Sequence, residues 1–122
     1  EICIMRCQNQ GLKAPHSMVS TKNIARTILE ILGTPDDNCY VASEAYYHLK
    51  GGKAAGLKPV NGKVDGISHW WLVDSVGCVI DITAEQFDAP VDYSAGRGRG
   101  FLTKKPSKRA QELINRVSDE RN

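Results

Sequence analysis

The chain has 122 residues, which is the usual length of one domain and enough to bury a single hydrophobic core. Hydrophobic residues make up 41% and charged residues 25%, as in ordinary globular proteins, and the formal net charge is only +2. This charge gives no strong electrostatic reason to expect nucleic acid or a membrane surface as a partner. No apolar run approaches the ~18 residues that a membrane-spanning helix needs.

Residues 1–17 show no clear periodicity, and polar residues interrupt the apolar stretch that a signal peptide would need. We therefore expect an unpatterned N-terminal extension, residues 1–17, followed by a single domain, residues 18–122, in the cytoplasm. Cys3 and Cys7 form one loose pair without the second pair or the histidines of a zinc site. The sequence thus predicts no metal site, and a disulfide framework is unnecessary at this length.

Two helices are predicted in the first half of the domain. Ser20 or Thr21 can cap the first helix, whose apolar stripe ends before Gly33 and Pro35. Its stripe consists of Ile24, Ile28, Ile31 and Leu32. The second helix follows the capping residues 36–38 and runs from residue 39 to the Gly-Gly pair at 51–52. Cys39 falls in its first turn.

Beyond residue 56 the pattern changes to that of strands. A short strand is predicted at 57–60, a turn at Asn61-Gly62, and a hairpin of two strands at 67–74 and 78–83. One helical turn at 84–87 and a loop at 88–100 follow. Pro106 at the first helical position, with Ser107 also a possible cap, opens a last helix. The buried stripe of this helix is predicted to be Ala110, Leu113, Ile114 and Val117. This order predicts an α+β fold with helices on one face of a small antiparallel sheet.

Three residues on these elements form a candidate cysteine triad. The positive end of a helix favours the thiolate form of Cys39. In a hairpin centred on residues 75–77, positions whose numbers sum to about 152 oppose each other, so His69 faces residue 83. Asp81 is then its diagonal neighbour, about 7–8 Å away between backbones and within side-chain reach. An aspartate among Val79, Ile80 and Ile82 also needs a buried partner.

These residues resemble the transglutaminase-like and papain-like cysteine hydrolases. Residues 38–43, Asn-Cys-Tyr-Val-Ala-Ser, are similar to the cysteine-bearing helix start of that superfamily, and His69-Trp70-Trp71 is similar to its His-x-Trp strand. Residues 77–83 are similar to its glycine turn and its strand ending in Asp-x-Thr, with Ile82 where the family usually has proline. The resemblance implies a papain-like core and a triad in the order Cys, His, Asp.

The expected enzyme acts on amide or acyl bonds and needs no cofactor. Cys39 would attack the carbonyl carbon, His69 would serve as base and then acid, and Asp81 would hold the imidazole. Asn38 is a candidate oxyanion donor beside the backbone N–H of Cys39, and Trp70 and Trp71 are candidates to line the substrate cleft. The expected substrate is a peptide, a protein or a small amide, which leaves protease, amidase, deamidase and transamidase open.

Other interpretations of the same residues stay open. Cys39 alone could be a small buried hydrophobic residue, both tryptophans could be structural, and Cys78 is expected in the core. Glu85 and Gln86 could reach the site, but capping of the following turn is favoured. The alternative function is a non-catalytic binding module that uses the basic stretch 97–109 for nucleic acid or a protein partner. The glycine-rich loop at its start, residues 96–100, lacks the lysine and Ser/Thr of a phosphate-binding loop.

Overall fold

The computed structural model describes residues 5–6, 15–34, 36–87 and 90–121. Three α-helices and five strands form there, together with three short 3-10 helices. The helices are α1 (Pro15–Leu32), α2 (Cys39–Leu49) and α3 (Lys108–Arg121). The strands are β1 (Met5–Arg6), β2 (Lys58–Val64), β3 (Ile67–Val73), β4 (Val79–Ile80) and β5 (Arg97–Gly98). The 3-10 helices are Gly52–Ala55, Ala84–Gln86 and Tyr93–Ala95.

The strands form one antiparallel sheet in the order β1-β4-β3-β2-β5. The main core lies on the face that the helices cover, where Ile28, Tyr46, Leu72, Ile82 and Val117 are among the buried residues. Trp71 anchors a smaller cluster with Val60 and Val79 on the opposite face. The predicted α+β class is therefore confirmed. None of the helices among the described residues is long and apolar enough to cross a membrane.

Regular secondary structure begins nearer to the N-terminus than the sequence pattern predicts. Helix α1 begins at Pro15, five residues before the predicted cap at Ser20, because proline is favoured at the first helical position. Residues 5–6 form β1, which pairs with β4. The predicted boundary after residue 17 thus falls inside α1, while Cys3 and Cys7 lie outside the described residues.

Two predictions in the middle of the chain are wrong. Asn61 and Gly62 lie inside β2, and the β2–β3 turn is formed instead by Asp65 and Gly66, whose φ angles of 52° and 79° are those of a type I′ turn. The supposed loop 88–100 contains a 3-10 helix and β5, which pairs with β2. The hairpin register was predicted correctly, since Leu72 opposes Ile80 and Val73 opposes Val79.

The β3–β4 ladder is short, and this shapes the site. On β3, β4 pairs only with Leu72 and Val73, and the chain leaves the sheet at Asp81. The first half of β3 still pairs with β2 on one side, but it has no β4 partner on the other. Backbone carbonyl groups on that side of β3 are therefore available to other elements.

Helix α3 is fixed to α2 by a buried carboxylate. The Ser107 hydroxyl accepts a hydrogen bond from the Ala110 N–H at 3.3 Å, which makes Ser107 the N-cap and places Pro106 outside the helix. Glu44, which is fully buried, accepts hydrogen bonds from the Ser107 backbone N–H and hydroxyl, both at 2.8 Å. A negative charge is favourable at this helix end.

Cys78 is buried, as expected for a core residue, but it is disulfide-bonded. The sequence pattern does not predict a bond at this position. Cys78 directly precedes β4, the strand that leads to Asp81. Cys39, by contrast, is a free thiol.

We expect Glu44→Ala to lower the free energy of unfolding by about 2–4 kcal/mol, because it removes two hydrogen bonds to a charged acceptor and leaves buried donors unpaired. Urea denaturation measures this change. Glu112→Ala, an exposed position on α3, is the matched control and should have little effect. Equal stability of the two variants would contradict the proposed role of Glu44.

Candidate active site

Cys39 lies in the first turn of α2, beside the free half of β3. Its side chain is partly exposed, and its Sγ lies 3.9 Å from the backbone carbonyl oxygen of Ser68. One helical turn later the Ser43 hydroxyl donates a hydrogen bond of 3.3 Å to the Trp70 carbonyl. The carbonyl groups of residues 68 and 70 point to the same side of β3. The start of α2 thus occupies the edge that β4 leaves open.

The His69 imidazole is fully buried and bound to Asp81. Its Nε2 atom lies 2.8 Å and 3.0 Å from the two carboxylate oxygens of Asp81. The ring is held between aromatic side chains, with centroid distances of 5.6 Å to Trp71 and 4.8 Å to Phe87. Both the predicted helix start at Cys39 and the predicted contact between His69 and Asp81 are therefore present.

Asp81 is also fully buried, and its carboxylate accepts a hydrogen bond from a second donor. The Tyr93 hydroxyl donates a hydrogen bond of 2.8 Å to Oδ2 of Asp81. The segment that carries Tyr93 lies close to the sheet, and glycine at position 96 permits this approach. A Cβ atom there would collide with the side chains of Trp71 and Val60. The Asp81 carboxylate is thus fixed from two sides.

The other ring nitrogen of His69 faces two polar side chains. Nε2 is bound to Asp81, which leaves Nδ1 as the nitrogen that can face Cys39. Cys39 is near enough to His69 to contribute to its pKa. The amide nitrogen of Gln86 lies 3.3 Å from the same Nδ1 atom. Burial lowers the pKa of His69, but hydrogen bonds to Asp81 and Cys39 and the charges of both groups outweigh this effect. Together they raise the pKa from 6.5 to about 9.

The predicted oxyanion donor Asn38 is engaged elsewhere through its side chain. Its amide nitrogen donates to the Thr34 carbonyl at 2.8 Å, and its oxygen accepts from Arg109 Nη2 at 3.1 Å. These bonds tie the start of α2 to the end of α1 and to α3. A role of the Asn38 side chain in catalysis stays a prediction.

The two predicted cleft residues point to different faces of the sheet. Trp71 is buried in the small cluster behind His69. Trp70 is half-buried on the helix side, where its ring stacks on Phe101 at 5.5 Å and meets Tyr40 edge-on at 5.0 Å. Trp70, Tyr40 and Phe101 thus form an aromatic cluster on the helix side, and Trp71 contacts the imidazole ring.

Sequence reasoning missed Ser43 and Tyr93 and assigned Gln86 mainly to capping. The signal for Ser43 was its i+4 spacing from Cys39, which places both on one helix face. No local pattern marks Tyr93, because its contact with Asp81 depends on the path of the chain beyond residue 87. Among the described residues, no group of three or more His, Cys, Asp or Glu side chains could hold a metal ion.

Comparison of the chain with models of known protein families, with curated protein sequences and with solved structures found no match.

We expect the protein to lose stability as the pH rises from 6.5 to about 9. The folded-state pKa of His69 is raised, so its contribution is complete below pH 6.5 and is lost as the proton leaves near pH 9. A change from 6.5 to about 9 corresponds to at most about 3 kcal/mol. Urea denaturation across this pH range measures the decline.

In the His69→Gln variant, the free energy of unfolding should fall less steeply over the same pH range. His48→Gln, at the far end of α2, is the matched control and should keep the wild-type pH dependence. If His69→Gln declines as steeply as the wild type, the protonated His69–Asp81 pair is not the cause.

Proposed function

We propose that this chain is a cysteine-nucleophile enzyme that acts on amide or acyl bonds through Cys39, His69 and Asp81. The observation that supports it best is the position of His69 between a free cysteine at a helix start and a buried carboxylate. A buried imidazole with a pKa of about 9 is protonated at neutral pH. A positive charge close to a cysteine is what nucleophilic cysteines generally require. The proposed frame is the papain-like or transglutaminase-like one that the motifs resemble.

The proposed reaction begins with attack of the Cys39 thiolate on the carbonyl carbon of the substrate. A C–S bond forms, the carbonyl π electrons move to oxygen, and collapse of this intermediate breaks the bond to the leaving group. His69 gives its Nδ1 proton to the leaving amine, and Asp81 holds the ring through Nε2. Water or a second amine, deprotonated by the now neutral His69, then attacks the thioester and releases the thiol.

This chemistry requires only side chains of the chain itself, so no cofactor is proposed. The proposed substrate is a peptide, a protein or a small amide. The aromatic cluster of Tyr40, Trp70 and Phe101 favours a substrate with an apolar group, because its three rings are only half-buried and Tyr40 follows Cys39 in the chain. Hydrolysis and transamidation share every step up to the thioester.

The cytoplasmic location expected from the sequence stays a prediction. The disulfide at Cys78 favours an oxidising compartment instead, because glutathione and thioredoxin keep cytosolic thiols reduced. The thiol of Cys39 remains free in the same structure.

A binding module is the second candidate function. The side chains of Arg97, Arg99, Lys104 and Lys105 are exposed on β5 and the following loop, where they could contact nucleic acid or an acidic protein. The guanidinium group of Arg109 is instead bound to Asn38. With a net charge of +2, this candidate has less support than the enzyme.

We expect Cys39 to react with iodoacetamide at pH 6 roughly 10- to 100-fold faster than a free peptide thiol, which is mostly protonated there. His69→Ala should remove most of this advantage, because the neighbouring positive charge is lost. Asp81→Asn should remove part of it. Mass spectrometry of the labelled peptide measures the rate at Cys39.

His48→Ala is the matched control, since it removes an imidazole from the other end of α2. Circular dichroism of each variant separates loss of reactivity from loss of fold. If Cys39 labels no faster than the peptide thiol, or if His69→Ala leaves the rate unchanged, Cys39 is a structural cysteine. The binding-module hypothesis then replaces the enzyme hypothesis.

A further inference from the structure

Gln86 is a polar side chain beside Nδ1 of His69 whose function the triad does not explain. It lies at the end of the 3-10 helix Ala84–Gln86, which follows Asp81 directly in the chain. Its amide nitrogen is 3.3 Å from Nδ1 of His69 and donates to the Thr83 hydroxyl at 3.1 Å. The segment 81–86 therefore approaches both nitrogens of the imidazole, with Asp81 at Nε2 and Gln86 at Nδ1.

The position of the amide matters because Nδ1 is the nitrogen that faces Cys39. A carbonyl group attacked by Sγ would place its oxygen within this region, where the negative charge of the tetrahedral intermediate needs donors. The first-turn N–H of Cys39 is one such donor, since it lacks an intrahelical acceptor. A second donor has to come from another element, and both polar ends of the Asn38 side chain are already bonded.

The protonation state of His69 leaves one Gln86 hydrogen available. When the imidazole is protonated, Nδ1 carries a hydrogen and cannot accept a bond from an amide N–H. An amide nitrogen carries two hydrogens, and the Thr83 hydroxyl accepts one of them. The remaining hydrogen can bind an anion beside Nδ1.

We propose that Gln86 donates from its side-chain amide to the oxyanion of the tetrahedral intermediate, together with the backbone N–H of Cys39. The inference rests on the proposed function and assigns a further catalytic residue to the same site. The buried Thr83 hydroxyl acts as a positioning group, because it fixes the Gln86 amide. Asn38 then ties the start of α2 to its neighbours.

Two reagents separate this role from a structural one. With p-nitrophenyl acetate, the thiolate adds to the carbonyl carbon, an oxyanion forms, and p-nitrophenolate leaves as Cys39 becomes an acetyl thioester. With iodoacetamide, the thiolate displaces iodide from a saturated carbon, and no oxyanion forms. A lost oxyanion donor therefore slows acylation and leaves alkylation unchanged.

We expect Gln86→Met, which keeps the side-chain length but lacks the donor, to slow acylation of Cys39 about 100-fold. Gln86→Ala should have a similar effect, and both variants should alkylate at the wild-type rate. The burst of p-nitrophenolate measures acylation, and mass spectrometry of the Cys39 peptide measures alkylation. Gln111→Ala, an exposed glutamine on α3, is the matched control and should change neither rate.

The outcomes distinguish the inference from the function on which it rests. If the wild type acylates no faster than Cys39→Ser, the proposed function is wrong. If the wild type acylates at Cys39 and the Gln86 variants match it, the oxyanion role is wrong. If acylation and alkylation fall together in folded variants, Gln86 only positions His69, which also overturns the inference. Selective loss of acylation supports it.

Discussion

The site depends on the short pairing between β3 and β4. Strand β4 follows β3 for only two residue pairs, Leu72 with Ile80 and Val73 with Val79. In the first half of β3, the carbonyl groups of residues 68 and 70 have no partner in β4. Cys39 and Ser43 of α2 contact them instead. A longer β4 would occupy this edge and would exclude the helix start. The departure of the chain at residue 81 thus brings the thiol to the imidazole.

The buried His69–Asp81 pair is the second constraint. Moving two ionisable groups out of water is costly unless their hydrogen bonds are satisfied. Asp81 accepts from His69 and from Tyr93, while Trp71 and Phe87 enclose the ring. The imidazole is therefore held in one orientation, with Nε2 bound to the Asp81 carboxylate. This preorganisation is what a triad needs, because the histidine must not rotate between proton transfers.

Contacts from distant parts of the chain hold the start of α2 in place. Arg109 binds Asn38, the residue before Cys39, and the Leu102 N–H donates to the Tyr40 hydroxyl at 2.7 Å. Glu44 joins the same helix to the start of α3. The C-terminal third of the chain therefore supports the candidate site, and the proposed nucleophile lies on a helix that cannot shift independently of α3.

Local chemistry in the sequence determined the start of α2 at Cys39, the hairpin register, and the pairing of His69 with Asp81. Periodicity and a tight turn each act over a few residues, so the sequence alone could specify them. The predicted cap Asn38 precedes α2 but makes no side-chain capping hydrogen bond, since its oxygen accepts from Arg109 instead. The stripe of α3 was equally readable, as Ala110, Leu113 and Val117 are buried. The α+β class followed from the order of these elements.

Only the tertiary structure decided where pairing stops and which side chains complete the site. Asn61-Gly62 has the composition of a turn, yet β3 and β5 pair with it on both sides and hold it extended. The contacts of Tyr93, Gln86 and Cys78 join residues that no local pattern connects. Pairing across a sheet and burial of a charge depend on the whole packed chain, because a distant segment must supply the missing partner.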